Sequence, residues 1–206
     1  MGWWSERVLP RAVSRVLDRP DIAGLRRLTA APLHGRVLEL GFGSGLNVPH
    51  LPESVTGIGA VEPSDHAWWL SRHRRAQTSV AVERIGLDGA SVSAADASYD
   101  GALVTFTLCT IPDVARALDE VRRVVAPGGT LAFLEHGLSP DSGVARWQHR
   151  LDPLQQRFAG GCHLTRDTAA LVRDAGFTVT GVDAAYLRVP AVAHPVAYLT
   201  RGHAHT

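Results

Sequence analysis

The sequence predicts an α/β protein with a mostly parallel sheet and helices on both faces. Three observations carry that expectation. Short apolar runs alternate with segments of helical periodicity along nearly the whole chain. The first run, residues 36–40 (RVLEL), leads directly into a glycine-rich turn, Gly41-Phe42-Gly43-Ser44-Gly45. The 206 residues suffice for one buried core without staples, so residues 1–206 are read as a single domain.

The elements follow in order. The strand at 36–40 is stopped by the glycine cluster. A second strand, 57–61 (GIGAV), ends at Glu62-Pro63, and Ser64 and Asp65 are suited to cap a helix over 66–75. Residues 80–85 and 101–107 (GALVTFT) give the third and fourth strands. Val114, Leu118, Val121 and Val125 share one face of a helix over 113–125, which Pro127-Gly128-Gly129 stops. Residues 130–135 (TLAFLE) form the fifth strand, 168–175 a helix closed by Gly176, and 177–183 and 196–201 the last two strands. His203 and His205 read as a frayed tail. Ahead of the sheet, residues 1–34 form a helical segment in which Val8, Ala12, Val16 and Leu17 recur at helical spacing behind Trp3 and Trp4. The reading is an amphipathic helix packed on the domain, with the tryptophans as a lid or staple. A membrane-surface helix is disfavoured, because the face is short and Pro10 interrupts it.

Composition excludes several functions. All 21 basic residues are arginine. Without lysine there is no Schiff-base lysine, no Walker-type phosphate loop and no kinase-type catalytic lysine. A formal charge of +1 and a pI near 8.0 argue against a mainly electrostatic nucleic-acid binder. Two cysteines, Cys109 and Cys162, do not make a disulfide framework, so a reduced, cytoplasmic protein is expected. No run approaches the ~18 apolar residues of a membrane span, so no stable membrane insertion is expected.

The glycine turn carries the first functional signal. Its glycines permit positive φ and close approach of a ligand to the backbone. About twenty residues on, at the end of the next strand, Glu62 is placed to accept hydrogen bonds from both hydroxyls of a ribose. The dinucleotide fingerprint is G-x-G-x-x-G, whereas this chain has G-x-G-x-G, with Leu46 at the dinucleotide's third position. Glu39 sits two residues before Gly41. Carboxylates repel a pyrophosphate and suit a ligand carrying an ammonium and a sulfonium. Glu39, Glu62 and Asp88 therefore favour S-adenosylmethionine over NAD. The plain alternative makes the acids solvated strand ends and the glycines a tight turn.

At this point the chain resembles the class I S-adenosylmethionine-dependent methyltransferases, from Gly35 onward. The E-L-G-F-G-S-G loop is similar to the family's first motif and Val61-Glu62-Pro63 to its second. Ser98-Tyr99-Asp100 leads into the fourth strand as in the family, and the run from Glu120 through Pro127-Gly128-Gly129-Thr130 matches its helix, turn and fifth strand. The resemblance implies a Rossmann-like, seven-stranded, mostly parallel sheet with an antiparallel last strand. A narrower resemblance is to the methyltransferase-like 7 group, whose eukaryotic members are thiol S-methyltransferases. It rests on Thr107-Leu108-Cys109-Thr110, Leu134-Glu135-His136-Gly137, Trp147-Gln148, Leu151-Asp152-Pro153 and Gly160-Gly161-Cys162-His163-Leu164-Thr165-Arg166. The hydrophobic N-terminal anchor of those members is not seen here, which suggests a soluble bacterial relative, a monomer or weak homodimer.

The resemblance implies roles. Gly41, Phe42, Gly43 and Gly45 set backbone against the methionine part of the cofactor, and Glu39 orders that loop. Glu62, followed by Pro63, grips the ribose. Asp88 accepts from the adenine amino group and the Gly89 amide donates to N1, although Asp88-Gly89 also reads as an ordinary turn. Thr105, Phe106 and Thr107 end the fourth strand beside the reactive sulfonium.

Methyl transfer from a sulfonium is an in-line displacement, so the protein must position the nucleophile and help remove its proton. The D/N-P-P-Y run of many amino-group methyltransferases is replaced here by Thr105-Phe106-Thr107-Leu108-Cys109, which argues against nucleic-acid methylation. The insert at 137–166 is read as the acceptor side. His136, His163 and Arg166 are its candidate catalytic residues: His136 as a base for a thiol, Arg166 as a partner for a thiolate. The alternative gives His136 a structural bond to Asp152 and makes Cys162 a small buried residue. The adjacent pair Cys162-His163 has poor spacing for zinc, and no metal is expected. The first reading is thus methyl transfer to a small-molecule acceptor, a thiol. The alternatives are N- or O-methylation of a lipid headgroup or quinone-type precursor, an NAD-dependent oxidoreductase, and a binding-only protein.

Overall fold

The computed structural model describes residues 7–206, so Trp3 and Trp4 and the lid expected of them lie outside the described residues. Two helices precede the sheet, α1 (Leu9–Leu17) and α2 (Pro20–Ala30), each with a proline in its first turn. Pro10 therefore starts α1 rather than interrupting it, since the first turn has no amide partner to lose. Only part of the apolar face expected of α1 packs: Val8 and Leu17 are half-buried, whereas Ala12 and Val16 are not. Ala12, Val13 and Val16 are exposed, while Leu9, Ser14 and Leu17 are half-buried.

Seven strands follow: β1 (Gly35–Leu40), β2 (Val55–Val61), β3 (Ala81–Gly86), β4 (Tyr99–Thr105), β5 (Val125–His136), β6 (Thr178–Tyr186) and β7 (Tyr198–His205). They form one sheet in the order β3-β2-β1-β4-β5-β7-β6. Pairs from β3 through β5 are parallel, and β7 runs antiparallel between β5 and β6. The chain moves outward from β1 to β3 and then crosses back to β4. The carboxyl ends of β1 and β4 thus open a crevice at the switch point.

Both faces of the central strands are buried, as a parallel sheet requires. Strand alternation divides the side chains. Val37, Leu103 and Ala132 pack with Ala30 of α2 and with Phe42. Leu38, Val104, Leu131 and Phe133 pack with Leu118 and Val121 of α5 (Val114–Val124) and Val172 of α7 (Thr168–Asp174).

Several boundaries differ from the sequence reading, each for a local reason. The helix expected at 66–75 is two short helices, α3 (Asp65–Leu70) and α4 (Arg72–Ala76). They meet at Ser71, whose hydroxyl bonds back to the Trp68 carbonyl at 2.6 Å. Strand β4 stops at Thr105 because Phe106 takes a left-handed φ of 54°. The Pro127-Gly128-Gly129 turn does not precede β5 but lies within it: Val125 pairs with Tyr99, Thr130 pairs with Gly101, and residues 126–129 bulge between. The acceptor-side insert contains a helix that the sequence reading did not place, α6 (Ser142–Phe158), capped by Asp141 through the Gly143 amide at 2.8 Å. His203 and His205 are not a frayed tail. Both pair within β7, and His203 Nε2 lies 3.0 Å from the Thr29 carbonyl oxygen of α2.

Phe133 is fully buried at the centre of β5 and packs against Gly202, where a Cβ would meet its ring at 2.4 Å. Phe133→Ala is expected to destabilise the fold by about 3–5 kcal/mol in urea denaturation, since the sheet backbone cannot collapse into the hole.

Candidate active site

The crevice floor is a buried polar network. Glu39 of β1 is buried and accepts from Asn47 Nδ2 at 2.8 Å. Asn47 Oδ1 accepts from Arg26 Nη1 of α2 at 2.7 Å, and both Arg26 and Asn47 donate to Thr105 Oγ1 at 2.9 Å. Arg26 also stands over the Phe106 ring, 5.3 Å from its centroid. Burial pushes the Glu39 carboxyl up to about 8, against the pull of Asn47 and Arg26. Burial likewise lowers Arg26 to about 10, so it remains a cation at neutral pH. Two atoms of this network, Glu39 Oε2 and Arg26 Nε, are buried with no hydrogen-bond partner among the described residues. Buried polar groups are normally paired, so these two are places for a ligand's donor and acceptor.

The glycine loop closes over this floor. Gly41 has φ +75°, and a Cβ there would lie 1.9 Å from Thr107 Oγ1, so only glycine lets the loop rest on the turn after β4. Gly45 donates its amide to the Phe42 carbonyl at 3.0 Å, and the Phe42 ring packs on Trp68. Glu62 is buried and accepts from the Gly43 amide at 2.6 Å and the Ser64 amide at 2.8 Å. Burial raises its pKa despite those two donors. Pro63 beside it is exposed. After β3, Asp88 is exposed and accepts from the Ala90 amide at 2.9 Å, the ordinary turn geometry. Gly89 is buried, and a Cβ there would strike Leu40 at 2.6 Å, so the turn is seated against the end of β1. The structure thus brings Glu39, Glu62, Gly41–Gly45 and the Asp88-Gly89 turn to one end of the sheet.

A second group lies at the ends of β4 and β5. Glu135 is buried and accepts from the amides of Thr107 (2.8 Å), Leu108 (3.0 Å) and Cys109 (3.1 Å). The loop after β4 wraps this carboxylate, whose pKa burial raises and the three amides pull back down. The His136 ring meets Phe106 edge-on at 5.4 Å. Its Nδ1 lies 3.4 Å from Cys162 Sγ and 3.9 Å from Cys109 Sγ, and the two sulfurs are 3.5 Å apart. The Cys109 contact, stronger than the burial that opposes it, lowers the Cys162 thiol with further help from His136, and Cys109 is raised in turn. Burial lowers His136, but the Cys162 contact and the Glu135 charge outweigh it and raise its pKa.

His163 does not join His136. Its amide donates to the Cys109 carbonyl at 2.7 Å, and its Nδ1 lies 3.4 Å from Asp152 Oδ2. In place of the His136–Asp152 bond of the alternative reading, Asp152 faces His163. Asp152 also accepts from the Leu164 amide at 2.6 Å. Arg166 spends its guanidinium on backbone, donating to the carbonyls of Leu108 and Ile111. These two residues brace the loop that carries Cys109. Arg26, Asn47, Glu135 and Cys109 were not among the candidates read from sequence. Glu135 and Cys109 had a local signal, their places in Leu134-Glu135-His136-Gly137 and Thr107-Leu108-Cys109-Thr110.

The raised Glu39 pKa fixes a pH dependence. The unfolded chain ionises this group near 4.5, while the folded chain holds the proton to about 8. The folded state thus binds more protons across that window and loses stability as pH rises through it. Glu39→Gln is expected to shrink the fall in melting temperature between about pH 5 and pH 8.5. An unchanged fall would show that burial of Glu39 is not its cause.

Comparison with known proteins agrees with this geometry. Residues 38–133 match the model of a methyltransferase domain. The chain is 32% identical over 160 residues to the human thiol S-methyltransferase TMT1B, covering 75% of this chain and 64% of that one. It is 30% identical over 117 residues to a demethylmenaquinone methyltransferase of Clavibacter sepedonicus, covering 56% of this chain and 47% of that one. The chain spans about six tenths of the length of the thiol S-methyltransferases it matches. Among solved structures, it superposes with a TM-score of 0.69 and 21% identity on a Thermotoga maritima S-adenosylmethionine-dependent methyltransferase, described as a possible histamine N-methyltransferase, covering 98% of each chain. The matched domain and the relatives support a class I S-adenosylmethionine-dependent methyltransferase that resembles the thiol S-methyltransferase group, and the superposition shows the same Rossmann-like fold.

Proposed function

We propose that the protein transfers the methyl group of S-adenosylmethionine to a small thiol. The observation that carries the cofactor assignment is the buried Glu39 oxygen left without a partner under the glycine loop. A pyrophosphate brought there would meet two buried acids, Glu39 and Glu62, whereas an ammonium gains a partner for Glu39. In this reading Glu39 and Arg26 Nε hold the ammonium and carboxylate of the methionine part, over Gly41, Phe42 and Gly43. Glu62 keeps lone pairs beyond its two amide bonds for ribose hydroxyls. Asp88 and the Gly89 amide face the adenine edge, and Thr105, Phe106 and Thr107 border the reacting end. The bound cofactor supplies an electrophilic methyl on a sulfonium.

The thiol assignment is supported by the relatives and by the pocket's chemistry. Phe106, Cys109, His136 and Cys162 lie together beyond the ends of β4 and β5, a group rich in soft atoms. Three acceptors that could grip a planar amine are already engaged: Glu135 by three amides, and the Leu108 and Ile111 carbonyls by Arg166. His136, beside Phe106, stands where the acceptor's proton leaves, while His163 and Arg166 position the loop. No described helix is long and apolar enough to cross a membrane. Methylation of a quinone-type or lipid-headgroup acceptor is the second reading, favoured by the similarity to a demethylmenaquinone methyltransferase.

Radiolabelled S-adenosylmethionine offered with matched thiol, amine and phenol panels separates the two. Label in a thioether is expected; label only in an amine or phenol product would overturn the thiol assignment. Glu62→Ala is expected to weaken S-adenosylhomocysteine binding about ten- to a hundredfold by calorimetry, because hydroxyls lose a charged acceptor. Unchanged affinity in a folded variant would remove Glu62 from the site.

A further inference from the structure

Three separate segments bring soft donor atoms together: Cys109 from the loop after β4, His136 from the end of β5, and Cys162 from the turn after α6. The Sγ–Sγ distance is 3.5 Å and the two Sγ–Nδ1 distances are 3.4 and 3.9 Å. A zinc ion with Zn–S near 2.3 Å and Zn–N near 2.0–2.1 Å has tetrahedral edges of about 3.8 Å between sulfurs and about 3.6 Å from sulfur to nitrogen. The triangle is that size. A point equidistant from all three atoms lies about 2.1 Å from each, within a few tenths of an ångström of those bond lengths. Ordinary thiol packing needs no third donor at this separation.

The surroundings hold the triangle in place. Cys109 is fixed on both sides, its amide by Glu135 and its carbonyl by the His163 amide. The His136 ring is set by Phe106 and meets the Val196 carbonyl, the kind of outer partner that orients metal-binding imidazoles. The objection raised by the adjacent Cys162-His163 pair falls away, because His163 turns to Asp152 and the nitrogen comes from His136 instead. Two thiolates neutralise a dication, so the occupied site carries no net buried charge.

We propose that Cys109, His136 and Cys162 bind one divalent cation of the zinc class, with the fourth position open to the sulfur of the acceptor. Three protein ligands and an open position are the arrangement of catalytic rather than structural zinc. On binding, the dication forms bonds to both sulfurs and to Nδ1, and each thiol still protonated gives its proton to solvent. With the ion bound His136 is a ligand rather than the base, and an acceptor thiol entering the fourth position gives its proton to solvent and becomes a thiolate nucleophile. The metal half of the proposal stands alone; the acceptor half rests on the thiol reading above.

The test uses the full chain, stripped of metal and kept reduced with a phosphine, titrated with Co²⁺. One ion per chain is expected, with near-ultraviolet thiolate-to-metal charge transfer and the strong visible bands of four-coordinate cobalt, both displaced by Zn²⁺. Cys109→Ser and Cys162→Ser should each lose charge-transfer intensity, and His163→Ala should keep it. Absence of these bands in the reduced wild-type protein would overturn the metal site, as would their loss in His163→Ala with retention in His136→Ala. Adding a small thiol should shift the visible bands, and an amine should not. Bands that form but ignore thiols would leave the metal site standing and overturn the acceptor half.

Discussion

The site depends on one constraint: a carboxyl group, Glu39, buried near the carboxyl end of β1. Burial holds its proton well above the usual carboxylate range, and a buried polar group is costly unless it is hydrogen-bonded. Three elements meet that cost together. Asn47 from the glycine-loop side, Arg26 from α2 and Thr105 from β4 form one hydrogen-bonded net around it. The net ties the helix ahead of the sheet to the two strands that flank the switch point, and so sets the depth and charge of the crevice. Its incompleteness matters as much as its bonds. One oxygen of Glu39 and one nitrogen of Arg26 remain for a ligand that carries both an ammonium and a carboxylate.

A second carboxylate organises the neighbouring half. Glu135 collects three consecutive amides, which forces the chain after β4 to turn sharply around it. Phe106 sits at the start of that turn with φ +54°, a conformation that bulky residues rarely adopt and that persists where surroundings over-determine it. The strained residue places its ring between Arg26 and His136. One aromatic side chain thus joins the acid-lined cofactor side to the sulfur- and imidazole-lined acceptor side.

Much of this was legible in the sequence where the signal is local. The G-x-G-x-G loop, the strand before it and Glu62 after it follow from backbone freedom and strand length, and the structure brings them together. The Ser64 cap is likewise local, and its hydroxyl accepts from the Ala67 amide. What was not legible depends on contacts between distant segments. Arg26 is one of 21 arginines, and nothing near it in the chain shows that it ends beside Glu39. The end of β4 was placed two residues late because Phe106 and Thr107 have high strand propensity, and only the pull of Glu135 overrides it. His203 and His205 looked like tail residues because histidine carries no strand signal, yet β7 is held by neighbours on both sides. Cys109, His136 and Cys162 lie too far apart in sequence for any spacing rule to unite them.

The central claim is that buried acids, not a phosphate cradle, choose the cofactor. Calorimetric titration of the wild-type protein with S-adenosylmethionine and, separately, with NADH tests it most directly. The account predicts saturable binding of S-adenosylmethionine at one site per chain and no binding heat with NADH. Saturable NADH binding with none for S-adenosylmethionine would contradict it.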